Sequence, residues 1–236
     1  SGLKITGIRM TIVTKGAAIP GEKAAVQGID PNRPMIALTF DDGPHAPVTN
    51  RILDSLEANG GRATFFMVGN RVAGKANKAA VARVAALGCE VANHTYEHKA
   101  ITKLGAEGIK SQLARANDSI RLAGGVSPVL MRPPGGAKSD AAMKTVGSMG
   151  MSAVLWSIDT LDWKTKNKQK TIDAVIGHVK DGDIVLMHDL YGATADAAEV
   201  IIPKLKEMGF QLVTVSELAS YRGGIQPGKV YSRFRP

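Results

Sequence analysis

At 236 residues the chain suits one sizeable domain, since single α/β barrels reach about 200–250 residues. An apolar fraction of 44% with 22% charged residues excludes a disordered or fibrous chain, and no apolar run approaches the roughly 20 residues of a membrane-spanning helix. The single cysteine, Cys89, excludes an intramolecular disulfide and a thiolate-rich metal site, while a formal charge of +9 favours a polyanionic partner.

Residues 1–32, with "ITGIRMTIVTKG", read as an N-terminal strand or hairpin packed outside the main domain. The Ser-Gly start shows no leader pattern, so a leader or anchor is expected to have been removed ahead of it. Apolar runs of strand length follow at 35–40, 63–68, 89–93, 129–132, 152–157, 183–188 and 210–215. Helical spacing fills the gaps at 48–59, 76–87, 106–123, 139–149, 170–180 and 195–208, and glycine follows the end of each, as at a helix C-cap. Alternating strands and helices, with strands apolar on both faces, imply a parallel sheet covered by helices. Seven units favour a barrel over an open sheet. One domain is expected over 33–222, with an irregular tail over 223–236.

Polar residues gather where these strands end. Asp41 and Asp42 close "IALTFDDGP", and a pair of adjacent carboxylates is most easily explained when a cation or an arginine neutralises it. His94 and His98 follow the third strand, Arg132 the fourth, Asp159, Asp162 and Trp163 the fifth, and His188 the sixth. In a parallel barrel these ends share one face, the face on which active sites are built. The spacing in "NHTYEH" lets both imidazoles reach one ion from a helical turn, and a carboxylate from another strand completes a two-His, one-carboxylate site with room for water. The same letters match the H-x-x-E-H pattern of inverzincin proteases, with Glu97 as base, but that pattern needs a long helix where "CEVAN" reads as a strand. Glu97 is expected to be an exposed cap residue. Cys89 is expected to be a small buried hydrophobe, and His45 and His178 surface residues.

"TFDDGP", "HTYEH", "RPPGG", "DTLDW" and "LMH" resemble, in order and spacing, the five motifs of the carbohydrate esterase family 4 polysaccharide deacetylases, the NodB homology domain. The likeness covers roughly 33–220 and is strongest to peptidoglycan N-acetylglucosamine deacetylases. It implies a distorted, TIM-like (β/α)7 barrel with a short N-terminal extension. It further implies a divalent metal held by Asp42, His94 and His98, with zinc first in line and cobalt or another transition metal as alternatives. Asp41 is then the general base, Arg132 its partner, His188 the general acid and Asp162 the holder of its imidazolium. Gly135 would offer an N–H to the oxyanion, with Pro134 beside it among the substrate-binding residues. Trp163 and Leu186 would wall the pocket for the acetyl methyl group.

Where the family usually has R-x-P-aromatic-G, this chain has Gly135 in place of the aromatic, which removes a groove wall and adds backbone freedom. The implied activity is removal of N-acetyl groups from a glycan polymer, peptidoglycan first, with an O-acetyl xylan esterase or a chitooligosaccharide deacetylase as alternatives. The lysines of "WKTKNKQK" suit an anionic cell-wall surface. With no zinc-finger or RNP-like motif and only 5% aromatics, nucleic acid is not expected as a partner. A monomer is expected, located outside a bacterial cell or on its surface.

Overall fold

A computed structural model describes residues 28–236; the extension expected over 1–32 lies, up to residue 27, outside the described residues. Strand β1 (Met35–Asp41) is followed by α1 (Ala46–Ala58), β2 (Thr64–Met67), α2 (Lys75–Ala86), β3 (Glu90–Asn93) and α3 (Ala106–Gly124). Next come β4 (Leu130–Met131), α4 (Asp140–Ser148), β5 (Ser152–Val154), β6 (Ile158–Asp159), α5 (Asp162–Thr165) and α6 (Lys168–Val175). The chain ends through β7 (Ile184–His188), α7 (Gly192–Glu207), β8 (Gln211–Leu212), α8 (Val215–Tyr221) and β9 (Val230–Tyr231).

All strand pairs are parallel, in the order β6-β7-β1-β2-β3-β4-β5-β9, with β8 added to the start of β1. The sheet curls into the expected distorted barrel with β6 and β9 as its edges. Each of the seven expected strands has a counterpart.

Three expectations need correction. The tail expected to be irregular supplies β9, which pairs with β5, and Phe234 packs into the interior. The run expected as a strand over 210–215 breaks at Thr214, which caps α8 through a reciprocal capping box with Glu217. Such a cap is worth about 1 kcal/mol, enough to turn a β-rich run into a helix start. The run over 152–157 ends at Val154, and a separate two-residue strand, β6, pairs with β7.

The strands are buried on both faces. Along β1, Ile36, Leu38 and Phe40 face out against α1 and α7, where they meet Ile52, Leu53, Ile201 and Ile202. The alternate residues Met35 and Ala37 face the interior with Phe66, Leu130, Val154 and Leu218. This second row turns polar towards the carboxyl end, at Thr39 and Asp41, both buried. Period-two alternation thus carries the apolar core upward into a buried polar layer.

Candidate active site

Parallel pairing sets the site's geometry directly. Register places Asp41 level with both Phe66 and His188, and Thr39 level with Leu186. A cavity of about 350 Å³ opens above these positions, with Asp41, Asp42, His94, His98, Leu186 and His188 in its wall. Of the other expected residues, Gly135 and Trp163 also line it, Trp163 half exposed. Pro134 does not: it is buried at the start of the 3₁₀ turn Pro134–Gly136.

Asp41 is held by a fully buried arginine. Arg132 Nη1 donates to Asp41 Oδ1 at 2.7 Å and to Thr39 Oγ1 at 2.8 Å, while Nε donates to the Val154 carbonyl at 3.0 Å and Nη2 to the Leu155 carbonyl at 2.9 Å. Its guanidinium lies over Phe66, 4.1 Å from the ring centroid. The Arg132 carbonyl meets His94 Nδ1 at 2.7 Å, and since a carbonyl can only accept, that nitrogen carries the proton. His94 Nε2 is left with its lone pair facing the cavity.

Asp42, His94 and His98 converge. One ligating atom from each lies within 4.8 Å of the others. His98 Nε2 is 3.0 Å and His94 Nε2 3.4 Å from Asp42 Oδ1. That oxygen is buried yet makes no hydrogen bond among the described residues, which is what a ligand awaiting a cation looks like. Two imidazole nitrogens, a carboxylate and an open side suit a divalent transition metal in a hydrolytic site. Burial works to raise the Asp42 carboxyl, but imidazoles carrying a proton towards it outweigh burial through their hydrogen bonds and charge and hold the group well below the usual carboxylate range, the part a cation would play in their place.

The helical turn expected for His94 and His98 is not formed. Thr95 and His98 adopt left-handed backbone, with φ of 62° and 55°, and the segment is a loop propped from α3. Asn93 Oδ1 accepts the Thr95 N–H at 2.7 Å, and Gln112 Oε1 accepts the N–H groups of Tyr96 and Glu97 at 3.1 and 2.9 Å. Glu97 is exposed as expected, but it is also tied to Gln112 Nε2 at 2.6 Å rather than serving as a helix cap. All five non-glycine residues with positive φ among the described residues (Asp42, Thr95, His98, Leu161 and Lys166) lie in loops around this cavity. Such strain collects where surrounding contacts over-determine a site.

Across the cavity, His188 Nδ1 donates to Asp162 Oδ1 at 2.7 Å, and the His188 N–H donates to Oδ2 at 2.8 Å. Thr194 Oγ1 donates to the same Oδ2 at 2.7 Å, so both carboxylate oxygens are engaged. Burial opposes a charge on His188, but the Asp162 hydrogen bond and charge, with Asp41 and Asp42 farther off, raise its pKa above the ordinary value.

Trp156 and Tyr191 also line the cavity, and Lys166 Nζ lies 5.2 Å from the centroid of the Tyr191 ring. Gly136 backs directly onto the Trp156 ring, so an aromatic wall stands beside the position where the usual motif aromatic is missing. Asp159 closes a local turn, its Oδ1 accepting the Leu161 N–H at 2.9 Å. Cys89 sits in the outer core, where burial pushes its thiol up to about 11, and His45 and His178 are exposed.

A family model described as polysaccharide deacetylase matches residues 28–154, more than half of the 236. The chain belongs to the polysaccharide deacetylase family. Among its relatives in that family, the peptidoglycan-N-acetylmuramic acid deacetylase PdaC of Bacillus subtilis is 43% identical over 190 residues, 80% of this chain but 40% of the relative's length. The solved structure of PdaC superposes with a TM-score of 0.76, covering 82% of this chain and 93% of that one. A peptidoglycan-N-acetylglucosamine deacetylase of Bacillus cereus is 37% identical over 81% of this chain and 91% of its own. A family 4 acetyl xylan esterase from Clostridium thermocellum, solved with a cobalt ion, is 31% identical with a TM-score of 0.79, covering 86% of this chain and 100% of that one. The chain therefore shares its fold with family members named for both amide and ester substrates.

Proposed function

We propose that the chain is a metal-dependent hydrolase that removes N-acetyl groups from a glycan polymer, peptidoglycan in the first place. One observation carries this reading: a ligand triad of Asp42, His94 and His98 shares a single cavity with an arginine-held carboxylate, Asp41, and a carboxylate-held imidazole, His188. Family membership and relatives named for peptidoglycan amides agree with it.

Asp42, His94 and His98 would hold the ion, zinc or cobalt by the chemistry of the donors. A divalent ion there supplies positive charge at the acetamide carbonyl and acidifies nearby water. Asp41, its Oδ1 engaged by Arg132, presents Oδ2 as the base that takes a proton as water adds to the carbonyl carbon. Gly135 offers its N–H to the developing oxyanion, while Leu186 and Trp163 enclose the acetyl methyl. His188, with Nδ1–H fixed on Asp162, delivers a proton from Nε2 to the departing nitrogen as the C–N bond breaks, yielding acetate and a free amine. The catalytic unit is taken as residues 33–222 together with the tail that supplies β9. The formal charge of +9 suits an anionic wall outside the cell or on its surface.

Protein stripped by chelator and reloaded with zinc or cobalt should release acetate from N-acetylglucosamine oligomers and from whole peptidoglycan. No metal-dependent release from either would sink the reading. Mass spectrometry of treated muropeptides tells whether N-acetylglucosamine or N-acetylmuramic acid loses its acetyl group. The second reading, an O-acetyl xylan esterase, is favoured by the likeness to the clostridial structure. An alkoxide leaving group depends less on an acid than an amine does, so His188→Ala separates the two by sparing ester turnover only.

A further inference from the structure

The turn that carries Asp41 and Asp42 is gripped from several sides. Val68 N–H donates to the Gly43 carbonyl at 2.8 Å, and Arg71 Nη1 donates to the Asp42 carbonyl at 2.9 Å. Another grip comes from a buried carboxyl that the reaction does not use. Asp189, immediately after His188, is 1% exposed. Its N–H donates to the Asp41 carbonyl at 3.2 Å, and its Oδ2 accepts from Thr49 Oγ1 at 2.6 Å. The Thr49 hydroxyl in turn accepts the His45 N–H at 3.0 Å, where α1 begins.

The same carboxyl lies against Gly43. A methyl group at that position would collide with both Asp189 carboxyl oxygens, so Gly43 is the residue that lets the turn close this far. Asp189 Oδ1 is buried without a hydrogen-bond partner among the described residues. Burying a carboxyl in this way costs free energy that an alanine would not, so packing alone does not call for an aspartate here. What it touches is the residue next to Asp42, whose φ of 73° holds only while its surroundings over-determine it.

We propose that Asp189 is a positioning residue for the metal-binding carboxylate: oriented by Thr49 and wedged behind Gly43, it keeps Asp42 Oδ1 turned towards His94 and His98. The proposal rests on the ligand assignment given under Proposed function.

Zinc affinity of chelator-stripped protein, measured by competition with a chromophoric chelator, tests it on Thr49→Val, Asp189→Ala, Asp189→Asn and Asp42→Ala, with the Tm of each metal-free protein recorded alongside. Asp189→Asn keeps the wedge and an acceptor for Thr49, and should bind within about threefold of the parent. Thr49→Val and Asp189→Ala should lose about tenfold or more, the scale of other supporting-residue losses at metal sites. A purely structural role would lower Tm and leave the affinity of folded protein unchanged. Parent-like affinity in Thr49→Val and Asp189→Ala, with binding lost in Asp42→Ala, overturns the proposal; so does an equal loss in Asp189→Asn and Asp189→Ala. Should Asp189→Ala not fold, Thr49→Val decides alone. Parent-like zinc binding by Asp42→Ala instead overturns the ligand assignment itself.

Discussion

Arg132 Nη1 donates to Asp41 Oδ1 at 2.7 Å, and the carbonyl of the same Arg132 accepts Nδ1–H of His94 at the same distance. One residue at the mouth of β4 thereby orients the proposed base with its side chain and a proposed metal ligand with its backbone.

Arg132→Lys should therefore be far from conservative. A lysine cannot serve four acceptors spread across Thr39, Asp41, Val154 and Leu155, and it leaves buried groups unsatisfied. The expected loss is about 3 kcal/mol, from the cost of breaking a buried pair. At about 2–4 °C per kcal/mol that lowers Tm by about 6–12 °C. Turnover should fall by about 100-fold, the scale of losing one positioned acid or base. Thermal melts and acetate release on one preparation check both; an unchanged Tm would show that the fork is dispensable.

Asp41→Asn should separate binding from chemistry. Zinc affinity stays within about threefold because Asp42 and the two histidines remain, whereas turnover falls by about 100-fold or more with the base gone. Metal loss comparable to that of Asp42→Ala would reverse the division of labour between the two carboxylates.

The pH profile should report His188. The proposed proton donor must be charged to act, so activity should decline as pH rises through its raised pKa. Removing the Asp162 charge takes away the main support of the imidazolium, and the basic limb of Asp162→Asn should move to lower pH. Stability follows the same sign. The pair's contribution is full below the ordinary histidine value, near 6.5, and is lost as pH rises through the folded-state value. The Tm gap between parent and variant should thus narrow on going alkaline. A basic limb unmoved in Asp162→Asn would falsify His188 as the acid.

Deleting residues 223–236 should destabilise the barrel, although none of them lines the cavity. Phe234 is buried, its N–H donates to the Gly182 carbonyl at 2.8 Å, its ring stacks on Tyr231, and Arg235 pairs with Asp183 at 2.7 Å. Burial of Phe234 alone is worth about 1.5–3 kcal/mol, or about 3–12 °C in Tm. Differential scanning calorimetry of the shortened protein checks this, and an unchanged transition would show that β9 is ornamental.

Much of the fold follows from local pattern. Apolar runs bounded by glycines mark seven strands because parallel strands are buried on both faces, and the end of each run marks where buried chain meets solvent. Asp41, Asp42, His94, Arg132 and His188 are therefore legible as one group from the sequence alone, and the resemblance of five ordered motifs implies their roles. The two-residue strands β6 and β9 were not legible. Neither is long enough to show a period, and β9 exists only because β5, about 75 positions earlier, leaves an edge to pair with.

Within the site, residue types were readable and their couplings were not. The left-handed loop from His94 to His98 depends on Asn93 and on Gln112 reaching across from α3. Thr194 beneath Asp162 and Asp189 behind Gly43 touch residues remote in sequence, and Tyr191 reaches the cavity wall only through the fold, so none of the three could be assigned a place from the sequence. Local hydrophobic pattern and strand ends thus determine which side chains arrive at the mouth of the barrel. Only the packing of β1 against β7, of β3 against β4 and of α1 beneath the first turn decides which nitrogen holds its proton, which carboxylate oxygen is left free and where each points.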